Sequence, residues 1–311
     1  MTELDPDIAA FHARTSADYA RLGAGGYTDL AHRRAVAEQV RAPWRAGGPT
    51  MASSETLTVG AFDTRIRIHR PSIDAPLPVL VYLHGGGWIL FSIDTHDRLM
   101  REYAARGEFA VVGIDYSLSP EARFPRALDE VAAVCSWLRA HGAAHGLDAT
   151  RLALGGDSAG GNLAVSSALR LRDAGHSAAA LLLNYGAFDT TTRPSHATYD
   201  GDDFMLNSIE MADFWDNYLG PEREQHDNPQ ARPILADLTG LPPAFLCIAE
   251  CDILRDENRA MAERLREAGV TVAETVYPGA THSFLEAVEI SPLADRALGD
   301  GAAWIARWLG A

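Results

Sequence analysis

Cysteine is scarce in this chain of 311 residues: there are three, Cys135, Cys247 and Cys251. All three fall in apolar segments, which argues against a disulfide framework and for buried reduced thiols. Positive charge is also short, with 27 Lys and Arg against 42 Asp and Glu and a formal net charge of −15. That balance repels nucleic acid and anionic membrane surfaces, so neither is expected as a partner. Long hydrophobic runs are missing too, and no stretch approaches the roughly 18 uncharged apolar residues of a membrane helix. The opening MTELDPDIAA is acidic and lacks the basic-then-apolar order of an export signal, so the expected location is the cytoplasm. Metal ligands at useful spacing are absent as well. Asp94, His96 and Asp97 lie together in SIDTHDR without a further His or Cys to join them, and no metal is expected.

What is present is enough apolar sequence, 47% of the chain, for a large core. Residues 1–48 read as an N-terminal helical cap segment with helices near 5–22 and 27–42, closed by the breakers of RAPWRAGGP. Alternation in LTVGAFDTRIRIHRP, with Ile66 and Ile68 on one face, predicts an antiparallel hairpin at a sheet edge. From there the pattern changes to short continuous apolar runs at 79–83, 109–114, 151–156, 180–185 and 244–249, the habit of strands covered on both faces. Helical spacing fills the intervals, as in Leu128, Val131, Cys135 and Leu138. Alternating strand and helix predict an α/β fold built on a mostly parallel, doubly wound sheet over residues 49–311. One interval, 188–241, is far longer than a single crossover needs and is read as a helical cap insertion. Within it NSIEMADFWDNYLGP predicts a helix opened by Asn207 or Ser208 and ended by Gly220-Pro221.

The chemistry begins at Gly156-Asp157-Ser158-Ala159-Gly160-Gly161, a G-x-S-x-G pattern between a strand and a helix, the context of a nucleophile elbow. A serine hydroxyl needs a base, and the base needs a carboxylate to orient it. With chain order Ser, acid, His, His282 follows the last strand signal and is the expected base, while His176, His196 and His226 fall in the elbow helix and the insertion. Asp252, just past the strand AFLCIA, is the expected acid, ahead of Glu250, Asp256 and Glu257. The run VLVYLHGGGW places Gly85, Gly86 and Gly87 after a strand where bare backbone can offer N–H groups to an oxyanion, joined by the N–H of Ala159. His84 is assigned an orienting hydrogen bond in that loop. A phosphate cradle would end in Lys-Ser/Thr, which is absent.

HGGGW at 84–88, GDSAGG at 156–161 and DYSLSPEARFP at 115–125 together resemble the hormone-sensitive-lipase-like family of α/β-hydrolases, and bacterial acetyl esterases in particular. The likeness runs from about residue 57 to the end. It implies an α/β-hydrolase fold with Ser158, Asp252 and His282 as nucleophile, acid and base. One departure is Ile253, where many members carry proline. The resulting expectation is a serine carboxylesterase acting on a small-molecule ester with a short, acetyl-type acyl group, needing no cofactor and compatible with a homodimer. An amidase or formamidase, a deacetylase tailoring a specialised metabolite and a non-hydrolytic acyl-transfer or lactone-forming enzyme would share this core. A non-catalytic receptor would usually have lost a member of the triad. Trp88, Phe204, Met205, Phe214 and Trp215 are the candidates to line the pocket.

Overall fold

The computed structural model describes residues 3–311, so residues 1 and 2 of the expected N-terminal segment lie outside the described residues. Asp5 opens α1 (Pro6–Leu22) by accepting from the N–H groups of Asp7 and Ile8, with proline at a helical start where no donor is needed. Asp29 opens α2 (Leu30–Arg41) through the N–H of His32. Eight strands follow: β1 (Ser53–Val59), β2 (Thr64–Arg70), β3 (Leu77–Leu83), β4 (Ala110–Asp115), β5 (Leu147–Asp157), β6 (Leu181–Asn184), β7 (Ala244–Cys251) and β8 (Val272–Thr281). They form one sheet in the order β1-β2-β4-β3-β5-β6-β7-β8. The hairpin β1–β2 and the pair β2–β4 are antiparallel, and every other pair is parallel.

Helices α3 (Asp97–Gly107), α4 (Arg126–His141) and α5 (Ala159–Asp173) follow β3, β4 and β5. Helices α6 (Pro194–Tyr199), α7 (Ser208–Leu219) and α8 (Arg223–His226) lie between β6 and β7, and α9 (Arg255–Glu267) and α10 (Pro292–Leu309) follow β7 and β8. The period-two alternation of the strands divides the core between the two faces. Val79, Val81 and Leu83 of β3 join a cluster with α4, α5 and α9, while Leu80 and Tyr82 of the same strand join one with α3, α10 and Phe11 of α1. Both faces are therefore covered, which is why β3 reads as a continuous apolar run and not as an alternating one. In the insert, Asn207 caps α7 through the N–H of Glu210 and Gly220, at φ 73°, ends it. The parallel strands β3, β5, β7 and β8 all bring their C-terminal ends to one edge of the sheet, and the candidate residues sit there.

Candidate active site

Ser158 stands between β5 and α5 with φ 54° and ψ −118°, a conformation that an L-residue adopts only when its surroundings impose it. They do so here through close approach. A Cβ added at Gly156 or Gly160 would run into the carbonyl oxygen of Leu83, so these glycines let the elbow pass against the end of β3. Ser158 N–H donates to Asn184 O at 2.9 Å and its carbonyl accepts from Ala187 N–H at 3.1 Å, tying the turn to β6.

His282, the residue after β8, reaches both expected partners. Its Nδ1 lies 2.7 Å from Asp252 Oδ2 and its Nε2 2.9 Å from Ser158 Oγ. With Nδ1–H directed at the carboxylate, Nε2 is left as the acceptor for the serine hydroxyl, the tautomer a base requires. The other oxygen of Asp252 accepts from Leu254 N–H at 2.9 Å, and the edge of Tyr185 packs on the imidazole with ring centroids 5.0 Å apart. Ile253 is buried and its carbonyl accepts from Ser195 Oγ, so the residue that departs from the family pattern ties the acid loop to α6. The competing acids are engaged elsewhere: Glu250 with Gly279 N–H, Asp256 with Arg255 and Ser195 N–H, Glu257 with Phe188 N–H.

The glycine loop is more differentiated than its sequence. Gly85 N–H donates to Asp157 Oδ1 at 3.2 Å, which corrects the expectation that it faces an oxyanion; it braces the loop against the elbow. Gly86 and Gly87, with φ of 109° and 58°, line the chamber beside Ser158, and Ala159 begins α5 directly after it. A Cβ at Gly86 would strike Leu90 O, and one at Gly87 would enter the ring of Phe214. His84 directs Nδ1 at Gly85 O, 2.7 Å away, and stacks on Tyr116 at 4.3 Å. Burial, reinforced by the nearby His96, lowers its pKa to about 4 and keeps it neutral. Asp157 also accepts from Tyr82 OH at 2.9 Å and pairs with His96 Nε2 at 3.3 Å. Burial opposes the charge on Asp157 and His96 alike, yet each holds the other ionised: the carboxyl lies below its ordinary range and the imidazole above. Asp94 and Asp97, weighed with His96 as ligands, are bound instead by arginines, Asp94 by Arg65 and Arg67 and Asp97 by Arg67 and Arg101. From α2, Arg34 donates to Ile89 O and Ser119 O, both at 2.8 Å, clamping the far end of the loop.

Ser158 and His282 open into a chamber of about 80 Å³ that includes Met205 and Phe214. It meets a vestibule of about 590 Å³ through the shared residues Tyr19, Leu90, Met205 and Glu210. Phe204 lines only that vestibule. Two other pocket candidates are corrected. Trp88 is buried and stacked on Tyr218 at 4.3 Å, and Trp215 lines a separate cavity of about 270 Å³ with Asp189 and Glu257. The packing of one aromatic on another took both away from the serine. The sequence reading missed Tyr19 and Arg41 from the N-terminal helices, Leu90 and Phe91, Leu206 and Glu210 from the insert, and Ser283. The capped helix 207–220 pointed to Glu210; nothing local pointed to Tyr19 or Arg41.

This arrangement, a buried serine hydroxyl against an imidazole held by a carboxylate beside a glycine loop, is suited to acyl transfer from an ester. Residues 80–286 match the family described as the alpha/beta hydrolase fold, and the chain belongs to that family. Within it the chain is a carboxylic ester hydrolase of the hormone-sensitive-lipase-like group. A hyperthermophilic esterase from the archaeon Pyrobaculum calidifontis is similar at 33% identity and a TM-score of 0.90, covering 98% of each chain. An ester hydrolase from the metagenome of Lake Arreo, solved with a derivative of bipyridine phosphonate, is similar at 33% identity and 0.90, covering 99% of this chain and 100% of that one. A thermostable esterase from Pseudomonas putida is 30% identical with a TM-score of 0.87, covering 99% of this chain and 98% of that one. No helix of the described residues is long and apolar enough to cross a membrane.

Proposed function

We propose that the chain hydrolyses short-chain acyl esters, acetyl esters first, through a covalent acyl-enzyme on Ser158. The observation that carries this reading is the unbroken line from Asp252 through His282 to Ser158, at 2.7 and 2.9 Å. His282 Nε2 takes the hydroxyl proton as Oγ attacks the ester carbonyl, and Asp252 holds the tautomer and offsets the imidazolium charge. The N–H groups of Gly86, Gly87 and Ala159 receive the oxyanion, and a helix N-terminus beneath it favours the same charge. The imidazolium then protonates the departing alcohol, and water, deprotonated by His282, releases the acid. A chamber of about 80 Å³ next to the serine supports a short acyl group.

The test is a series of p-nitrophenyl esters from acetyl to decanoyl, with Ser158→Ala as control. The expected result is a kcat/KM maximum at two to four carbons and, in the variant, loss of nearly all turnover, of the order of 10⁶-fold. A maximum at long chains would overturn the acyl preference, and turnover surviving in Ser158→Ala would overturn the nucleophile.

A further inference from the structure

Arg41, the last residue of α2, is 3% exposed and lines the same chamber as Ser158, Gly86, Gly87 and His282. It lies before residue 80, outside the stretch that matches the family. Its guanidinium is held over Phe91 at 5.0 Å and Phe11 at 5.7 Å. The acceptor beside it is Glu286, whose Oε2 is 3.0 Å from Nε, but the alignment makes no hydrogen bond. Nη1 is buried with no acceptor at all. Arg70, Arg106, Arg193 and Arg232 also leave a buried Nε unbonded, but among the described residues Arg41 is the arginine that leaves a buried Nη idle, and it alone of these lines the chamber of Ser158. An arginine in this state beside a nucleophile has a donor to offer an acceptor on the substrate.

Charge decides the kind of acceptor. Glu286 lies against Arg41, and Glu210 lines the same chamber while Arg33, the cation that most favours its charge, is paired with Asp213 at 2.6 Å. Burial raises the pKa of both glutamates, so the chamber already holds two acids pushed toward their neutral form, and a carboxylate on the substrate would be a third. A neutral oxygen would gain the hydrogen bonds without that conflict.

Resting on the reading of Ser158 as the nucleophile of an ester hydrolase, we propose that Arg41 is a specificity-determining residue that selects esters bearing a neutral oxygen acceptor, an ether, hydroxyl or carbonyl, close to the scissile carbonyl, over alkyl esters of the same shape.

The test uses two matched pairs in which one methylene becomes oxygen: p-nitrophenyl methoxyacetate against butyrate, and 2-methoxyethyl acetate against butyl acetate. Each kcat/KM is divided by the hydroxide-catalysed rate of the same ester. The expected result is a preference of about tenfold or more for the oxygen-bearing member of at least one pair, expressed mainly in KM. Arg41→Met should bring the ratio close to one. Because that change strands the Glu286 carboxylate, Arg41→Met/Glu286→Gln, which removes both charges, is measured beside it and should give the same collapse. A wild-type ratio near one in both pairs, or a preference that survives in the double variant, would overturn the inference while leaving the esterase reading intact. So would a preference for p-nitrophenyl hydrogen succinate over the methoxyacetate. No turnover of any ester would overturn both together.

Discussion

Asp252 divides its two oxygens between His282 and the N–H of Leu254, so the carboxylate is fixed by backbone before it orients the ring. In Asp252→Asn the amide can keep the bond to Leu254 while turning an NH₂ toward Nδ1. That stabilises the tautomer with the proton on Nε2, and the ring then faces Ser158 as a donor. The expected loss in kcat on p-nitrophenyl acetate is on the order of 10⁴-fold, with an unchanged circular dichroism spectrum. Residues of this kind were legible in the sequence because chain order and strand ends fix where Ser158, Asp252 and His282 must lie. The partner of Gly85 was not legible. Three consecutive glycines read alike, and only the folded position of the Asp157 carboxylate commits one N–H to scaffolding. Arg41 was hidden for the same reason, since its neighbours Phe91 and Glu286 are remote in the chain.

Helix α7 carries Glu210 and Phe214 to the chamber and depends on Asn207 for its first turn, through a 2.9 Å bond to Glu210 N–H. Asn207→Ala should destabilise the helix by about 1 kcal/mol. Because the helix roofs the chamber and sets Phe214 against Gly87, we expect KM for a short ester to rise severalfold and kcat to fall by a similar factor. A rise in KM with kcat unchanged would show the glycine loop to hold its place without the helix. The element was readable from its capping residue and its terminal Gly220, and the buried strands from their unbroken apolar runs. Which residues of α1 and α2 reach the chamber was not readable. Their polar composition suits an outer layer, and their place beside the serine comes from contacts such as Arg34 with Ile89 and Ser119 that no local pattern announces.

The stability of the whole molecule should carry the signature of the buried pair His96–Asp157, 3.3 Å apart. The Asp157 carboxyl is held below its ordinary 3.8, so its contribution is present above that value and is lost as pH falls through the folded one. The His96 imidazole is held above its ordinary 6.5, so its contribution is complete below 6.5 and is lost as pH rises through the folded value. The pair therefore stabilises most between those limits. His96→Gln should lower Tm more at pH 5.5 than at pH 9, by roughly 1.5 °C for each kcal/mol of difference. Equal losses at both pH values, read by differential scanning calorimetry, would show the pair to be uncharged. Gly87 and Phe214, far apart in sequence, meet so closely that the phenyl ring occupies the place of a side chain the loop does not have. Ceiling and oxyanion donors are thus one mechanical body. Attempts to widen the acyl range by trimming the ring will also slacken the donors, and a library that varies position 214 is in effect a library of catalytic rates.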